Sequence, residues 1–413
     1  MLLELTFCGY LRPVHFLPLL LLTLFGCWPL GRAPKSKYAH PTPPYALEVT
    51  DSLNQNRIQL GGYQVVLSAE QPVCGKQAMK AHNNLDLTLF KGRFYLAWRN
   101  APSHFASAKT RLCIASSSDL KHWTCEEEIH LGADLREPRF LVWRGRLILF
   151  FFEAGTKMLK FEPRHTYATH RKASGEWAEP TAFPELDGWV PWRVKLHNGR
   201  PLLSSYYGEN LYNANHNSKI RLFTSDSLYS KWEPISAQPQ YQGEAGEEAA
   251  FTFDEAGNMF GTIRREGFGG AVFRAPAGKL HQWKVKLKQR KYDSALMFRA
   301  HGGLYLLARR HPHPKPHGRS NSRRWNLLLY SVSAKRSALY RIHPTTLAAT
   351  HLLDLPGKGD TAFAGITRHP IKTNTWVIAN YTNPPEGPDY WWITGQLRPT
   401  LIYTMELRIT PYG

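Results

Sequence analysis

The feature that most constrains the fold of this 413-residue chain is a pattern that recurs six times. Each copy has a short apolar strand opened by a polar residue, a Gly-containing turn, a second β-rich strand and then a third strand. The turns KGR, RGR, HNGR, EAGN and AHGG separate strands rich in Phe, Tyr, Leu, Val and Trp, which is typical of β-hairpins. The copies begin near Asn84, Arg136, Pro191, Glu247, Asp293 and Asp360.

Six such units without intervening helices predict an all-β fold, a six-bladed β-propeller in which each sheet packs on its neighbours around a channel. A β-sandwich with long loops is the structural alternative, but the long, regular period favours the propeller. We expect the propeller domain to span residues 47–413.

The N-terminal region predicts export. An apolar run from Phe16 to Phe25, too short to span a bilayer, follows Arg12 and His15. We therefore interpret residues 1–26 as a signal peptide.

The end of this leader is similar to a bacterial lipobox, because it reads Leu-Phe-Gly-Cys with Cys27 last. Cys27 is then the predicted lipidation site, and the protein is expected in the bacterial cell envelope, anchored to a membrane. An ordinary cleaved secretion signal is the alternative. Residues 27–46 are basic and rich in proline, which predicts an extended tether.

The charge of the chain points to an anionic partner. Lys and Arg number 52 against 32 Asp and Glu, a formal net charge of +20. The chain carries no recognised nucleic-acid motif, so we expect anionic glycans or phosphate-rich cell surfaces rather than nucleic acid. We expect a monomer without a cofactor or metal. The alternating prolines in the run from His311 to His317 favour an extended basic loop over a metal site.

Three cysteines follow the leader and tether: Cys74, Cys113 and Cys125. Cys113 and Cys125 flank a turn and could be bridged across a hairpin in an oxidising compartment. Buried free thiols are the alternative, since pairing cannot be read from spacing.

Two segments, 117–123 (SSDLKHW) and 225–232 (SDSLYSKW), resemble degenerate Asp boxes. In that motif Asp and Ser side chains close a tight turn and the Trp packs between sheets, so both segments are expected away from the site.

Polar residues at the start of each first strand and the end of each second strand should converge on one rim of the channel, because these ends adjoin in a hairpin. Charged groups gathered at a channel mouth are either solvated or held for a ligand. The rim set is Asp86, Arg99, Arg136, Glu137, Glu153, Arg193, Tyr206, Tyr207, Glu247, Glu248, Arg264, Asp293, Arg309, Asp360, Asn380 and Tyr381.

From about residue 81 to residue 410 these repeats resemble the sialidase superfamily, whose sialidases grip a substrate carboxylate with three arginines and attack with a tyrosine assisted by a glutamate. The resemblance implies Tyr381 as nucleophile with Glu247 or Glu248, and Asp86 as general acid. It also implies substrate contacts from Arg264 and Arg309, and the rim positions of Glu248, Asp293 and Asp360 predict that they contact the substrate too. The first-blade Arg-Ile-Pro signature is absent, so either Arg99, Arg136 or Arg193 supplies the third arginine or the ligand is a different sugar.

The resemblance favours an exo-acting, retaining, sialidase-like glycosidase. One alternative is a non-catalytic propeller that binds glycans or proteins. Another is a five-bladed furanosidase-type glycosidase using carboxylates such as Asp86, Glu137 and Glu247. The aromatic run from Tyr390 to Trp392 is either a lid that stacks on sugars or part of a blade edge.

Overall fold

The innermost strands of six antiparallel sheets contact one another in sequence and close into a ring, so the chain is a six-bladed β-propeller. The computed structural model describes residues 47–75, 79–158, 160–209, 211, 217–312 and 322–412. The predicted signal peptide, tether and lipidated Cys27 lie outside the described residues. Six sheets in the described chain also exclude the five-bladed alternative and the β-sandwich.

Two strands precede the first blade: β1 (Leu47–Asp51) and β2 (Asn56–Leu67). Blade 1 runs from the channel outward through β3 (Ala81–Phe90), β4 (Arg93–Ala101), β5 (Arg111–Ser117) and β6 (Thr124–Ile129). Blade 2 contains β7 (Leu135–Trp143), β8 (Arg146–Glu153), β9 (Thr166–His170) and β10 (Thr181–Ala182).

Blade 3 has β11 (Val190–His197), β12 (Arg200–Gly208) and β13 (Asn217–Thr224), with β14 (Glu233–Pro234) and β15 (Tyr241–Glu244) both pairing with β13. Blade 4 contains β16 (Gly246–Phe253), β17 (Met259–Arg265), β18 (Ala271–Ala275) and β19 (Lys284–Leu287).

Blade 5 contains β20 (Asp293–Ala300), β21 (Gly303–Arg310), β22 (Arg336–Ile342) and β23 (Ala349–Asp354). Blade 6 begins with β24 (Lys358–Arg368), β25 (Thr375–Asn383) and β26 (Leu401–Pro411). The N-terminal β2 then pairs with β26, from Asn56 opposite Pro411 to Leu67 opposite Ile402, and β1 forms the outer edge. Blade 6 is therefore built from both ends of the described chain.

The strands are more buried than simple hairpins because each blade packs on neighbours through both faces. All nine residues of β25 are buried. Large aromatic side chains fill the spaces between sheets; Trp232 meets Phe150 edge to face, with 5.5 Å between ring centroids.

In the described residues two α-helices and a short 3-10 helix (Pro184–Leu186) interrupt the strands, so the expectation of a fold without helices is wrong. Helix α1 (Arg323–Ser331) lies between β21 and β22, and its N-cap Ser322 accepts a hydrogen bond from the Trp325 amide at 3.3 Å. The short helix α2 (Trp392–Gly395) lies between β25 and β26. In the described ranges no helix is both long and apolar enough to cross a bilayer. Residues 313–321 lie outside the described residues, so most of the His-Pro run does too.

The disulfide joins Cys74 to Cys125, so the suggested Cys113–Cys125 bridge is wrong. The cause is register: Cys125 lies opposite Ala115, and Cys113 lies opposite Glu128. Cys113 is a buried free thiol, as the alternative prediction had it.

The two Trp-containing turns differ in their hydrogen bonds. In the first, Asp119 Oδ1 accepts from the amides of Lys121 and His122, and Ser117 Oγ accepts from the Leu120 amide. In the second turn, Ser225 Oγ instead donates to the carbonyls of Ser227 and Ser230. Asp226 is exposed and pairs with Arg200.

Candidate functional site

Irregularities in the innermost strands shape the mouth of the channel. All six of these strands shift register near their start, and at five of the shifts a non-glycine residue has a left-handed backbone: Asn84 (φ 45°), Glu137 (φ 52°), Glu248 (φ 48°), Ser294 (φ 53°) and Phe363 (φ 56°). Such a conformation costs about 1–3 kcal/mol at each position and persists only where the surroundings enforce it.

These bulges connect neighbouring blades. Asn84 Nδ2 of blade 1 donates to Glu137 Oε1 of blade 2 at 2.5 Å. The Ser294 amide of blade 5 donates to Glu248 Oε2 of blade 4 at 2.7 Å. The strained backbone at Glu137 and Glu248 therefore places each carboxylate in contact with a neighbouring blade.

Tyr381 and Asp360 form a buried pair in blade 6. Tyr381 lies at the end of β25, opposite Ala362 in the innermost strand, and its hydroxyl donates to Asp360 Oδ1 at 3.0 Å. His104 Nδ1 lies 2.6 Å from Asp360 Oδ2, and the Trp392 indole donates to Oδ1 at 3.2 Å. Both Tyr381 and Asp360 have no exposed surface.

Electrostatics keep Asp360 ionised and Tyr381 protonated in this pair. Burial would raise the pKa of Asp360, but the nearby His104 and the hydrogen bonds lower it below its ordinary value. Burial, and then the charge of Asp360, raises the pKa of Tyr381 well above its ordinary value. Asp360 is thus an ionised hydrogen-bond acceptor for the Tyr381 hydroxyl.

The resemblance implied Glu247 or Glu248 as the partner of Tyr381. Glu247 lies opposite Arg264 in blade 4, with 3.7 Å between Oε2 and Nε. The carboxylate that accepts from Tyr381 is Asp360, which the sequence placed only on the rim.

Arg264 lies among four carboxylates. It contacts Glu248 at 2.5 Å and Glu266, and its Nε lies 3.6 Å from Asp293 in addition to its approach to Glu247. Burial would lower the pKa of Arg264, but these charges raise it well above its ordinary value. A substrate carboxylate would have to compete with all of them.

Arg309 is held by aromatic residues as well as by charge. Its Nε donates to the Tyr330 hydroxyl at 3.0 Å, and its guanidinium lies 4.7 Å from the Trp392 ring centroid and 3.7 Å from Asp293. Tyr330 comes from α1 and also donates to Asp293. Arg264 and Arg309 therefore meet at one carboxylate, Asp293.

Glu137 is a buried carboxyl group with an unusual pKa. Its Oε2 accepts from Arg139 at 2.5 Å, but burial, reinforced by the charge of Glu248, raises its pKa to about 7 against the effect of Arg139. A carboxyl group that titrates near neutrality is suited to general acid–base catalysis.

Asp86 lies two residues beyond the bulge at Asn84 in β3. Its Oδ2 accepts from the Phe140 amide at 2.8 Å, and Arg193 approaches Oδ1 at 3.9 Å. Arg193 also donates to the Ala295 carbonyl at 3.0 Å, which links blades 3 and 5. Both side chains therefore already have partners within the protein.

The arginines of blades 1 and 2 support a loop. Arg99 has no exposed surface, binds Asp134 at 2.7 Å, and donates to the Ser103 and Phe105 carbonyls. Arg136 also binds Asp134 and donates to the His104 carbonyl at 2.9 Å. In this structure both arginines hold the loop that carries His104 beside Asp360.

Other rim members lie on the periphery: Glu153 pairs with the half-exposed Arg164, and Tyr207 is exposed against Trp189. Sequence reasoning missed His104, Asp134, Glu266 and Tyr330. Only Tyr330 had a detectable signal, the capped apolar helix pattern after Ser322. Within the described ranges no group of three or more His, Cys, Asp or Glu is arranged to hold a metal ion.

No protein-family model and no curated protein matches this sequence. Solved structures do match. A protein of unknown function from Dyadobacter fermentans has 14% identity and a TM-score of 0.59, over 84% of this chain and 99% of that chain.

Trypanosoma rangeli sialidase has 10% identity and a TM-score of 0.55, over 88% of this chain and 60% of its own length. NanB, solved with Optactamide, has 11% identity and a TM-score of 0.53, over 80% of this chain and 68% of that chain. At these identities the likeness shows a shared propeller fold.

Proposed function

We propose that this protein is a retaining glycoside hydrolase that acts on an anionic glycan at the channel mouth, with Tyr381 as nucleophile. The observation that carries the proposal is the hydrogen bond from the Tyr381 hydroxyl to Asp360. A phenol with a fixed carboxylate acceptor can lose its proton as it attacks. The shared fold with a sialidase and the net charge of +20 support the same class of reaction and substrate.

In the first step Tyr381 Oη forms a bond to the anomeric carbon while the bond to the leaving oxygen breaks. The phenolic proton passes to Asp360, and Glu137 gives its proton to the leaving oxygen. Burial and the charge of Asp360 contribute most to the raised pKa of Tyr381, and the charge of Glu137 makes a smaller contribution. Glu137 therefore lies near Tyr381.

In the second step water attacks the glycosyl-tyrosine. Glu137 now takes the proton of the water, and Asp360 returns a proton to the departing phenolate. The atoms balance as hydrolysis with retention. Productive binding would require the Trp392 indole to give up its hydrogen bond to Asp360 Oδ1.

A panel of aryl glycosides tests the proposal: sialosides, uronides and neutral sugars, each assayed with the wild type and with Tyr381→Phe. Turnover of an acidic glycoside that the substitution abolishes is expected. Trapping a fluorinated sugar covalently on Tyr381, seen by peptide mass spectrometry, would identify the nucleophile directly.

A non-catalytic glycan-binding propeller is the second candidate. It is favoured by the complete burial of Tyr381 and Asp360 and by the four carboxylates that already surround Arg264. Absence of turnover across the panel, with binding on a glycan array, would favour this candidate and contradict the hydrolase.

Export and lipidation at Cys27 remain part of the proposal. The Cys74–Cys125 disulfide supports export, because such bonds persist in oxidising compartments. Labelling of the wild type, but not of Cys27→Ser, by a fatty-acid probe is the expected result.

A further inference from the structure

The segment from residue 267 to residue 292 contains no Asp or Glu and seven Lys or Arg residues. It includes the outermost strand of blade 4, β19, and the return to the channel mouth. We define the cationic track by its members along this path: Lys284, Lys286, Lys288, Arg290 and Lys291.

The track is exposed along most of its length. Lys284, Lys286 and Arg290 are exposed and Lys288 is half-buried. In an extended strand, alternate side chains share a face at intervals of about 7 Å. Lys284 and Lys286 therefore form a row, and Lys288 continues it because its amide still bonds to the Gly270 carbonyl at 2.8 Å.

The charges of the track repel one another. Burial, and then the charge of Lys286, lowers the pKa of Lys288 below its ordinary value. Lys286 Nζ donates to the Thr346 carbonyl, and in the described part of the chain none of Lys284, Lys286 and Lys288 forms an ion pair. An external anion would relieve this repulsion.

Lysines on an edge strand also discourage strand pairing between molecules. A comparison with the other blades indicates that preventing such pairing is not the sole explanation for these lysines. Within the described residues, their outermost strands contain no Lys or Arg. They are acidic, as in the Glu126-Glu127-Glu128 run of β6, or uncharged, as in β10. In the part of the chain that the structure describes, Lys residues on an outermost strand are thus specific to blade 4.

The inner end of the track reaches the candidate site. Arg290 and Lys291 line the same cleft as Arg309 and Arg310, beside Tyr330. Lys291 Nζ then lies 3.5 Å from Asp293, which Arg309 also approaches. Basic residues therefore extend from the outer edge of the propeller to the channel mouth.

We propose that the cationic track binds a linear polyanionic glycan, one that carries sulfate or carboxylate groups along its length, and leads it toward the channel mouth. A narrow row that turns inward fits an extended chain better than the flat surface of an anionic bilayer. Binding here does not depend on hydrolysis, so the inference holds whether or not the channel is catalytic.

The test uses the full chain and fluorescein-labelled dextran sulfate, with anisotropy measured over a salt series. The test variant is Lys284→Gln/Lys286→Gln/Lys288→Gln. The control, Lys109→Gln/Lys121→Gln/Lys231→Gln, removes the same charge from exposed lysines elsewhere. Uncharged dextran and phosphatidylserine vesicles serve as further ligands.

We expect the test variant to bind about tenfold more weakly, since each exposed ion pair contributes modestly. Its plot of log affinity against log salt should be shallower by about 2, for three lost contacts. The control variant should match the wild type. Equal losses in both variants, binding to the vesicles alone, or no binding to dextran sulfate would each overturn the proposal.

Discussion

The Tyr381 hydroxyl donates to Asp360 Oδ1 across blade 6 at 3.0 Å, so in the proposed mechanism Asp360 is the carboxylate that activates the tyrosine. We predict that Asp360→Asn lowers kcat by roughly 10²- to 10⁴-fold, the usual contribution of a general base. Tyr381→Phe should remove turnover altogether. Tyr305→Phe is the control, because Tyr305 is also buried and hydrogen-bonded to an aspartate, Asp51. Wild-type turnover by Tyr381→Phe would contradict the mechanism.

The raised pKa of Glu137 predicts a pH dependence of activity. With a pKa of about 7 in the folded protein, Glu137 carries its proton below neutrality and loses it above. The rate of glycosidic cleavage should therefore fall as pH rises through about 7. Glu137→Gln should lower the rate and abolish this alkaline limb, whereas Glu153→Gln should leave the profile unchanged.

The same group predicts a pH dependence of stability. Ionisation of Glu137 is easier in the unfolded chain, with a pKa near 4.5, than in the fold. The contribution of Glu137 to the free energy of unfolding is complete below about pH 4.5 and is lost as pH rises through about 7. This contribution is at most about 3 kcal/mol. Thermal unfolding of Glu137→Gln should lack this decline. Parallel curves for the two proteins would count against the raised pKa.

Arg264 should be essential to stability. Its removal leaves Glu247, Glu248, Glu266 and Asp293 buried without their shared cation, and breaking a buried charge network in this way costs about 3–5 kcal/mol. We predict this loss for Arg264→Gln in denaturant unfolding. Arg200→Gln, which breaks an exposed pair with Asp226, should cost under about 1 kcal/mol.

The disulfide should stabilise the fold considerably. It closes a segment with a sequence separation of 51, which corresponds to about 4 kcal/mol of unfolded-state entropy. Cys74→Ala should lose about this much in unfolding free energy, and Cys113→Ala should lose far less. Peptide mapping after alkylation should find Cys74 linked to Cys125; a linked Cys113 would refute the assignment.

The propeller could be predicted because strand patterning and Gly-containing turns are local, repeated signals. The convergence of strand ends at one rim also follows from hairpin geometry, as the Asp293–Arg309 pairing illustrates. The partner of Tyr381 could not be predicted, because it depends on which rim side chains meet once the ring has closed.

Other features left no trace in the sequence. Glu137 and Glu248 adopt left-handed conformations that are usual for glycine or asparagine, so nothing local marked their bulges. His104 comes from a loop whose position depends on Asp134, and Cys74 reaches Cys125 only through tertiary structure.

The pairing of β2 with β26 has a consequence for the order of folding. Ile58 in β2 lies opposite Ile409 in β26. One edge of β2 therefore stays unpaired until nearly all of the described chain has been synthesised. Blades 1 to 5 each join strands close in sequence, but ring closure is the longest-range contact and so the slowest to form. A chain available only up to residue 400 would have all the strands of five blades, but its sixth blade would lack the central strand.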